Sequence, residues 1–155
     1  MISKIETSHE NEFYLVGISV RTTNQNNQSG MDIGGLWTKF MQHNLILEIK
    51  NKLSDDIYCA YTDYETDHTG PYTAVLGCKV NSLTQIPDGF TGITVKADRY
   101  QVYELEGKFP DNVAATWQHI WDTAVDRKYT TDFDKYYAGA KSFEETEAKV
   151  HIAVK

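Results

Sequence analysis

The sequence lacks the excess of basic residues that nucleic-acid binding requires. Of its 155 residues, 15 are Lys or Arg and 22 are Asp or Glu, which gives a formal net charge of −7 at pH 7. Affinity for nucleic acid depends mostly on neutralising phosphates, and this chain has no basic stripe and no recognition-helix pattern. We therefore expect no direct contact with nucleic acid.

Long apolar runs and cysteines are also scarce. No apolar run approaches the roughly 20 residues that span a bilayer, and residues 1–6 do not combine a basic with an apolar segment. We expect a cytoplasmic protein with no membrane partner. Two cysteines exclude a disulfide framework. On a hairpin that turns about His68 and Thr69, Cys59 and Cys78 would lie opposite each other, as buried thiols in a reducing cytosol rather than as a redox pair.

Motifs of catalysis and metal binding are missing. The chain has no phosphate-cradling glycine pattern, no Gly-x-Ser-x-Gly elbow and no His-x-x-x-His pair. Its five histidines share no ligand spacing. We predict no metal site, no cofactor and no catalytic residue, and we favour a binding protein over an enzyme.

What the sequence does contain is an internal repeat, centred on two tryptophans eighty residues apart. Trp37 and Trp117 each lie in a segment with apolar residues at helical spacing. A residue suited to capping a helix, Asp32 or Asn112, precedes each segment. The second helix is predicted to span residues 112–126. Each helix follows an apolar, β-rich run (13–20 and 100–105) and precedes a strand pair (57–64 with 72–80, and 133–137 with 148–154). Residues 2–7 and 92–97 are candidate edge strands.

This pattern predicts an α+β fold, a tandem repeat of two strand-helix-strand-strand units. With 41% apolar residues and three prolines, the chain can bury a core. We expect residues 1–155 to form a single domain with internal repeats at roughly 12–80 and 98–154, because no linker separates them. The polar run at residues 22–30 is predicted to be a solvated loop. Gly34 and Gly35 indicate either fraying of the first helix or a close approach to its backbone.

Aromatic residues are the positive sign of a binding site. Tyrosines cluster in the first strand pair, before the second helix and after it, at positions 58, 61, 64, 72, 100, 103, 136 and 137. Tyrosine also favours strands for reasons unrelated to ligands. Taken together with three tryptophans, however, the set indicates an aromatic cavity, whose ring faces attract cations.

Carboxylates are the second sign. Asp63 and Glu65 are predicted to share a strand face with Tyr61, and Asp134 lies in the first strand of the second pair. A carboxylate that faces an apolar cavity is costly unless it is paired, so it indicates a cationic ligand or a raised pKa. The alternative is that each of these side chains points to solvent.

The sequence resembles the GyrI-like effector-binding superfamily. The resemblance rests on residues 33–40 (Ile-Gly-Gly-Leu-Trp-Thr-Lys-Phe), on the strand pair at 58–67 and 70–80 with its Tyr-Thr-Asp-Tyr-Glu segment, and on residues 116–121 (Thr-Trp-Gln-His-Ile-Trp). It covers nearly the whole chain. Within the superfamily, the chain is most similar to stand-alone, integron-cassette-type proteins related to the ligand-binding domains of AraC-type transcription regulators.

The resemblance implies a pseudo-twofold pair of units in an antiparallel sheet, with two helices flanking a central ligand cleft. In multidrug-binding relatives, a buried glutamate among aromatic rings receives lipophilic cations, and the matching position here is Asp134, one methylene shorter. The resemblance also implies a free-standing module without a helix-turn-helix domain. Such a module sequesters its ligand, presents it to a protein partner such as a regulator, or acts on gyrase.

We therefore predict a module that binds a small amphipathic organic molecule, with a lipophilic cation as the more specific expectation. The predicted cleft residues are Trp37, Tyr61, Tyr72, Tyr103, Trp117 and Asp134, with Asp134 supplying charge and the rings supplying stacking. One alternative is a gyrase-inhibitor type of interaction protein, which would use its acidic exterior. The other is a hydrolase of electrophilic natural products, with Asp134 or Glu65 as acid or base beside a tyrosine.

Overall fold

The computed structural model describes residues 2–155, so Met1, with which the predicted domain begins, lies outside them. The strands are β1 Ile2–Glu10, β2 Phe13–Thr22, β3 Ile57–Thr62, β4 Tyr72–Val80, β5 Thr91–Val95, β6 Asp98–Leu105, β7 Thr131–Tyr136 and β8 Ala148–Ala153. The helices are α1 Gln28–Gln42 and α2 Asp111–Asp122. In the described part of the chain, neither helix is long and apolar enough to cross a membrane.

The strands form one antiparallel sheet in the order β1-β6-β8-β7-β3-β4-β2-β5. From the central β3/β7 pair, the order outward is β3, β4, β2 on one side and β7, β8, β6 on the other. The units β2-α1-β3-β4 and β6-α2-β7-β8 therefore occupy equivalent positions. The predicted α+β class and pseudo-twofold repeat are confirmed.

The two outermost strands are exchanged between the units. Strand β1 precedes the first unit but pairs with β6 of the second, and β5 precedes the second unit but pairs with β2 of the first. The predicted edge strands are thus confirmed, although they lie outside the predicted repeat bounds. Separating the units would break both of these ladders as well as the β3/β7 pair.

Each helix packs on the outer strands of its own unit, α1 on β2 and β4, and α2 on β6 and β8. The predicted capping role of Asp32 is wrong, because α1 begins at Gln28, whose side-chain amide donates to Asp32 at 3.2 Å. Asn27, in a left-handed conformation, precedes the helix, so the predicted solvated loop is helical from residue 28 onward. Asn112 likewise lies inside α2, which ends at Asp122 because Thr123 takes an extended conformation.

The sheet has a buried core on both faces. One face is covered by the helices, while the other buries Tyr58, Tyr100 and Phe133 with their neighbours. Phe13 on β2 and Phe133 on β7 are separated by two intervening strands, yet their ring centroids are 5.3 Å apart, so the sheet curls around this second face. The strand period of two therefore assigns the tyrosines to opposite faces, with Tyr61 on the helix side.

The predicted pairing of the two cysteines is wrong in register. Cys59 lies opposite Leu76, and Cys78 lies opposite Val16, because the pairing of β3 with β4 is centred between Asp67 and His68, one residue earlier than predicted. Both thiols are buried and free, which confirms the expectation of two reduced thiols. Burial raises the pKa of Cys78 to about 12 and that of Cys59 further, so neither is poised for redox chemistry.

Candidate functional site

A cavity of about 550 Å³ lies between α1 and α2, above the central strands. Its aromatic walls include Trp37 from α1, Trp117 and Trp121 from α2, and Tyr61, Tyr72 and Tyr136 from the sheet. Ring edges meet ring faces, with centroids 4.9 Å apart for Trp37 and Tyr136 and 5.1 Å apart for Tyr61 and Trp117. The size and the largely apolar, aromatic-rich lining are those of a small-molecule site.

Gly34 leaves part of this cavity open. It lies inside a continuous α1, so fraying does not account for it, and a Cβ added there would meet no atom within 4 Å. A larger side chain would therefore project into the cavity without displacing protein atoms. Gly35 has equally open surroundings but does not line the cavity.

Asp134 lies directly behind the aromatic wall and has no exposed surface. Its carboxylate accepts hydrogen bonds from the hydroxyls of Tyr61 at 2.5 Å and Tyr136 at 2.9 Å, and from Trp117 Nε1 at 3.1 Å. Burial raises the pKa of Asp134 to about 7, against the opposing effect of these three donors. The carboxylate is thus separated from the cavity by the Tyr61, Tyr136 and Trp117 side chains that donate to it.

A second buried acid, Asp132, forms an ion pair that the sequence analysis missed. Arg127 Nη2 donates to Asp132 Oδ2 at 2.7 Å, the Tyr64 hydroxyl donates to the same oxygen at 2.6 Å, and the Ala153 amide donates to Oδ1 at 2.8 Å. Burial raises the pKa of Asp132, and Arg127 acts against that rise. The strand period of two, which places Asp132 on the same face as Asp134, was the signal that could have found it.

Arg127 also lines the cavity, among aromatic rings. Its guanidinium carbon is 4.4 Å from the Tyr129 ring centroid, 5.8 Å from that of Trp117 and 5.9 Å from that of Tyr64. Burial alone would lower the pKa of Arg127, but Asp132 and Tyr64 outweigh it and raise that pKa. The cavity therefore contains a resident cation, and among the described residues no Asp or Glu lines it.

Polar side chains gather at the same end of the cavity. The Tyr72 hydroxyl donates to Asn24 Oδ1 at 2.6 Å, and Asn24 Nδ2 donates to the His68 carbonyl at 2.9 Å. His68 Nδ1 is 3.2 Å from the Tyr129 hydroxyl. The other end, around Trp37, Phe109 and Phe143, is apolar. The cavity is thus polar at one end and apolar at the other, which suits an amphipathic guest.

Four of the predicted site residues, Trp37, Tyr61, Tyr72 and Trp117, line this cavity, and Asp134 contacts two of them. Tyr103 does not line it. It is buried on β6 with Ile120 of α2, and its hydroxyl accepts from Gln101 Nε2 at 2.7 Å. Helix α2 packs on β6, so it lies between Tyr103 and the cavity.

Asp63 and Glu65 do not share a strand face with Tyr61, contrary to prediction. Strand β3 ends at Thr62, Asp63 takes a left-handed conformation with φ of 52°, and both carboxylates are exposed. Glu65 therefore lies outside the cavity and is excluded as a candidate acid or base. Among residues 2–155, no group of three or more His, Cys, Asp or Glu is placed to hold a metal ion.

A smaller pocket of about 280 Å³ lies on the opposite face of the sheet. Its lining mixes three lysines (Lys79, Lys135, Lys149) with three glutamates (Glu6, Glu10, Glu12) around Phe133 and His151. The His151 ring stacks on Phe133 with centroids 4.2 Å apart, and burial, followed by the two nearby lysines, lowers the pKa of His151 to about 3. This pocket has balanced charges and lacks the tryptophan walls of the larger cavity.

Two strand-helix-strand-strand units around an aromatic cavity make the GyrI-like fold that the sequence predicted. Within that fold, the chain belongs to the Cass2 family of integron-associated effector binding proteins, whose family model matches residues 5–154. The integron cassette protein VCH_CASS2 from the mobile metagenome of Vibrio cholerae has a similar structure, with a TM-score of 0.79 and 29% identity over 99% of this chain and 97% of that one.

Two further proteins are similar along nearly their whole length. The structure of SAV2435 bound to tetraphenylphosphonium superimposes with a TM-score of 0.80 and 21% identity, over 98% of this chain and 94% of that one, which shows a shared fold. The Bacillus subtilis protein YobU, named as a proposed transcriptional regulator, is 26% identical over 146 residues, which is 91% of each chain.

Proposed function

We propose that this protein binds a small amphipathic organic molecule in the cavity between α1 and α2, and that lipophilic cations are among its ligands. The observation that carries the proposal is the aromatic cavity of about 550 Å³ with a buried carboxylate behind its wall. Membership of an effector-binding family supports it. The tetraphenylphosphonium bound to SAV2435, a protein of the same fold, is a lipophilic cation of the kind proposed.

The aromatic wall and the Asp134 carboxylate together favour a cationic ligand. Aromatic ring faces attract cations, and the attraction is stronger where water is excluded. Tyr61 and Tyr136 direct their hydroxyl protons toward Asp134, so their oxygen lone pairs are left to face other groups. Above its pKa of about 7, Asp134 therefore exerts a negative charge on a guest without touching it. Asp132 adds less, because Arg127 neutralises it.

We further propose that the protein serves as a ligand-holding module of the type that transcription regulators contain. The name given to YobU supports this role, as does the family of effector-binding proteins. On this proposal, the bound state is presented to a protein partner such as a regulator or gyrase, and the acidic balance of the chain, −7, argues against direct DNA contact. A cytoplasmic location is part of the same proposal.

The test uses the chain's own fluorescence, because all three of its tryptophans line the cavity. Tetraphenylphosphonium should quench or shift this emission saturably, with a dissociation constant in the micromolar range. The neutral analogue triphenylmethanol should bind more weakly, and the anion tetraphenylborate more weakly than the phosphonium. Equal affinity for the cation and the neutral compound would remove the charge part of the proposal.

A pair of glycine variants locates the binding. Gly34→Leu should place a side chain in the cavity and weaken binding strongly, whereas Gly35→Leu, the same change one residue along the same helix, should leave affinity within about twofold of the parent. Both changes replace a helical glycine with leucine, whose helix propensity is more favourable by about 1 kcal/mol. Neither change is therefore expected to unfold the protein. Binding that survives Gly34→Leu would contradict the assignment of this cavity.

A further inference from the structure

Arg127 has hydrogen-bonding capacity that the protein does not use. Within the described residues, the hydrogen bonds of its side chain leave from Nη2, to Asp132 and to the Tyr64 hydroxyl. Its Nε is buried and has no hydrogen-bond partner in the described part of the chain. The side chain is only 4% exposed, so this N–H cannot be fully compensated by bulk water.

The ion pair is built in a way that keeps this capacity free. A carboxylate and a guanidinium can form two parallel hydrogen bonds, but here Arg127 donates to Asp132 Oδ2 alone, while the Ala153 amide donates to Oδ1. Tyr129 and Trp117 hold the guanidinium from their ring faces, so its position is fixed by packing as well as by charge. A guanidinium held in place by packing and by Asp132, with an unpartnered Nε–H, thus lines the cavity.

We propose that Arg127 forms an oxygen-acceptor subsite at the polar end of the cavity and that it selects ligands with a carbonyl or carboxylate oxygen there. This inference rests on the proposed function, since it divides the same cavity into two parts. The aromatic body of the ligand lies against Tyr61 and Trp117, near Asp134. Its acceptor oxygen reaches Arg127, the only charged lining side chain of the described residues other than the titratable His68.

Charge considerations agree with this division. A bare cation that reached the polar end would approach a guanidinium, and because Asp132 already neutralises that guanidinium, the cation would gain little there. A neutral carbonyl gains a charge-assisted hydrogen bond without adding net charge to the site. The structure therefore favours molecules that carry both a lipophilic, cation-compatible body and an oxygen acceptor over simple lipophilic cations.

Three triphenylphosphonium salts with the same cationic body test this subsite. Their fourth substituent is butyl, 4-carboxybutyl, or the methyl ester of 4-carboxybutyl. The two oxygen-bearing salts should bind the parent protein about fivefold or more tightly than the butyl salt, the gain of roughly one hydrogen bond to a buried donor. If the butyl salt binds as tightly as both of them, the subsite does not exist.

Variants then assign the preference to Arg127, with the affinity ratio of ester to butyl salt as the readout. Arg127→Lys keeps a cation beside Asp132 but loses the planar fork, and the double change Arg127→Leu with Asp132→Asn removes the pair together. The ratio should fall to about one in both. Asp134→Asn is the matched control, on the same strand as Asp132. It should weaken the binding of all three salts by a similar factor and leave the affinity ratio unchanged.

The outcomes separate this inference from the proposed function. If the ratio survives in both Arg127 variants, Arg127 is not the acceptor-binding residue, although the cavity still binds phosphonium compounds. If none of the three salts binds the parent protein, or if Gly34→Leu does not block them, the proposed function itself fails. Should one variant not fold, the other variant and the parent's own ratio still decide.

Discussion

Strands β3 and β7 lie side by side at the centre of the sheet and hold equivalent positions in the two units, yet they carry opposite chemistry. On the helix side, β3 presents Ile57, Cys59 and Tyr61, whereas β7 presents Asp132, Asp134 and Tyr136. Cys59 pairs directly with Asp134, and Tyr61 with Asp132. A pseudo-symmetric backbone thus supports an asymmetric site, because each strand supplies one tyrosine donor but only β7 supplies buried carboxylates.

The two carboxylates of β7 also differ from each other, although they are two residues apart on one face. Asp132 is paired with a cation, and Asp134 is held by neutral donors alone. The strand period determines which carboxylates are buried, whereas the hydrogen-bonding and charged partners determine what each carboxylate does. Asp132 fixes Arg127 in place, and Asp134, with a pKa near 7, can respond to a ligand.

The largest expected effect comes from breaking the ion pair on β7. Asp132→Ala should lower the free energy of unfolding by about 3–5 kcal/mol, because it leaves Arg127 buried without a counter-charge. The double change Arg127→Leu with Asp132→Ala should cost less than this single change, since no unpaired charge remains. Urea unfolding curves measure both, and a single-mutant loss below about 1 kcal/mol would show that the pair is not structurally important.

The next prediction uses the raised pKa of Asp134. Between about pH 4 and pH 7, the folded state keeps a proton that the unfolded state has lost, so this residue makes stability fall as pH rises. Asp134→Asn removes that contribution, and the variant should gain stability relative to the parent across this window. The lowered pKa of His151 gives the opposite slope in both proteins and cancels in the difference. A pH-independent difference between the two unfolding free energies would refute the assignment.

The same variant should weaken cation binding while stability at pH 7 is unchanged or improved. The asparagine Nδ2 would donate to Tyr61 and Tyr136, whose hydroxyl protons would then turn toward other acceptors, and the Trp117 donor would keep Oδ1. The cavity would lose both the charge and the favourable lone-pair orientation. Fluorescence titration with tetraphenylphosphonium checks this. A change smaller than about twofold would exclude Asp134 as the source of charge.

The smallest expected effect concerns Tyr103, which the sequence placed in the cleft and the structure places beneath α2. Tyr103→Phe removes one hydrogen bond from Gln101 and should cost about 0.5–1.5 kcal/mol of stability, with ligand affinity within about twofold of the parent. Tyr61→Phe is the matched change on β3, and it should weaken cation binding because Asp134 loses a donor. Equal effects of the two variants on affinity would mean that Tyr103 contributes to the site.

The repeated unit and much of its chemistry follow from local patterns in the sequence. Helical spacing around Trp37 and Trp117, and alternation in the strands, are local patterns, so they predicted the elements and the α+β class. They also brought Tyr61 and Tyr72 to the helix side, since a strand has only two faces. The local patterns failed at the ends of elements. Before Asp32, polar residues belong to helix α1, although the local composition predicted a loop there.

The way in which the two units combine depends on contacts between segments that are distant in the chain. The exchange of β1 and β5, the register that separates Cys59 from Cys78, and the ion pair of Arg127 with Asp132 all depend on which segments meet. The position of Asp134 behind the wall depends on a tyrosine 73 residues earlier in the chain. Local periodicity sets the face on which a side chain lies, but packing between distant segments sets its partners, and those partners determine the charge that a ligand meets.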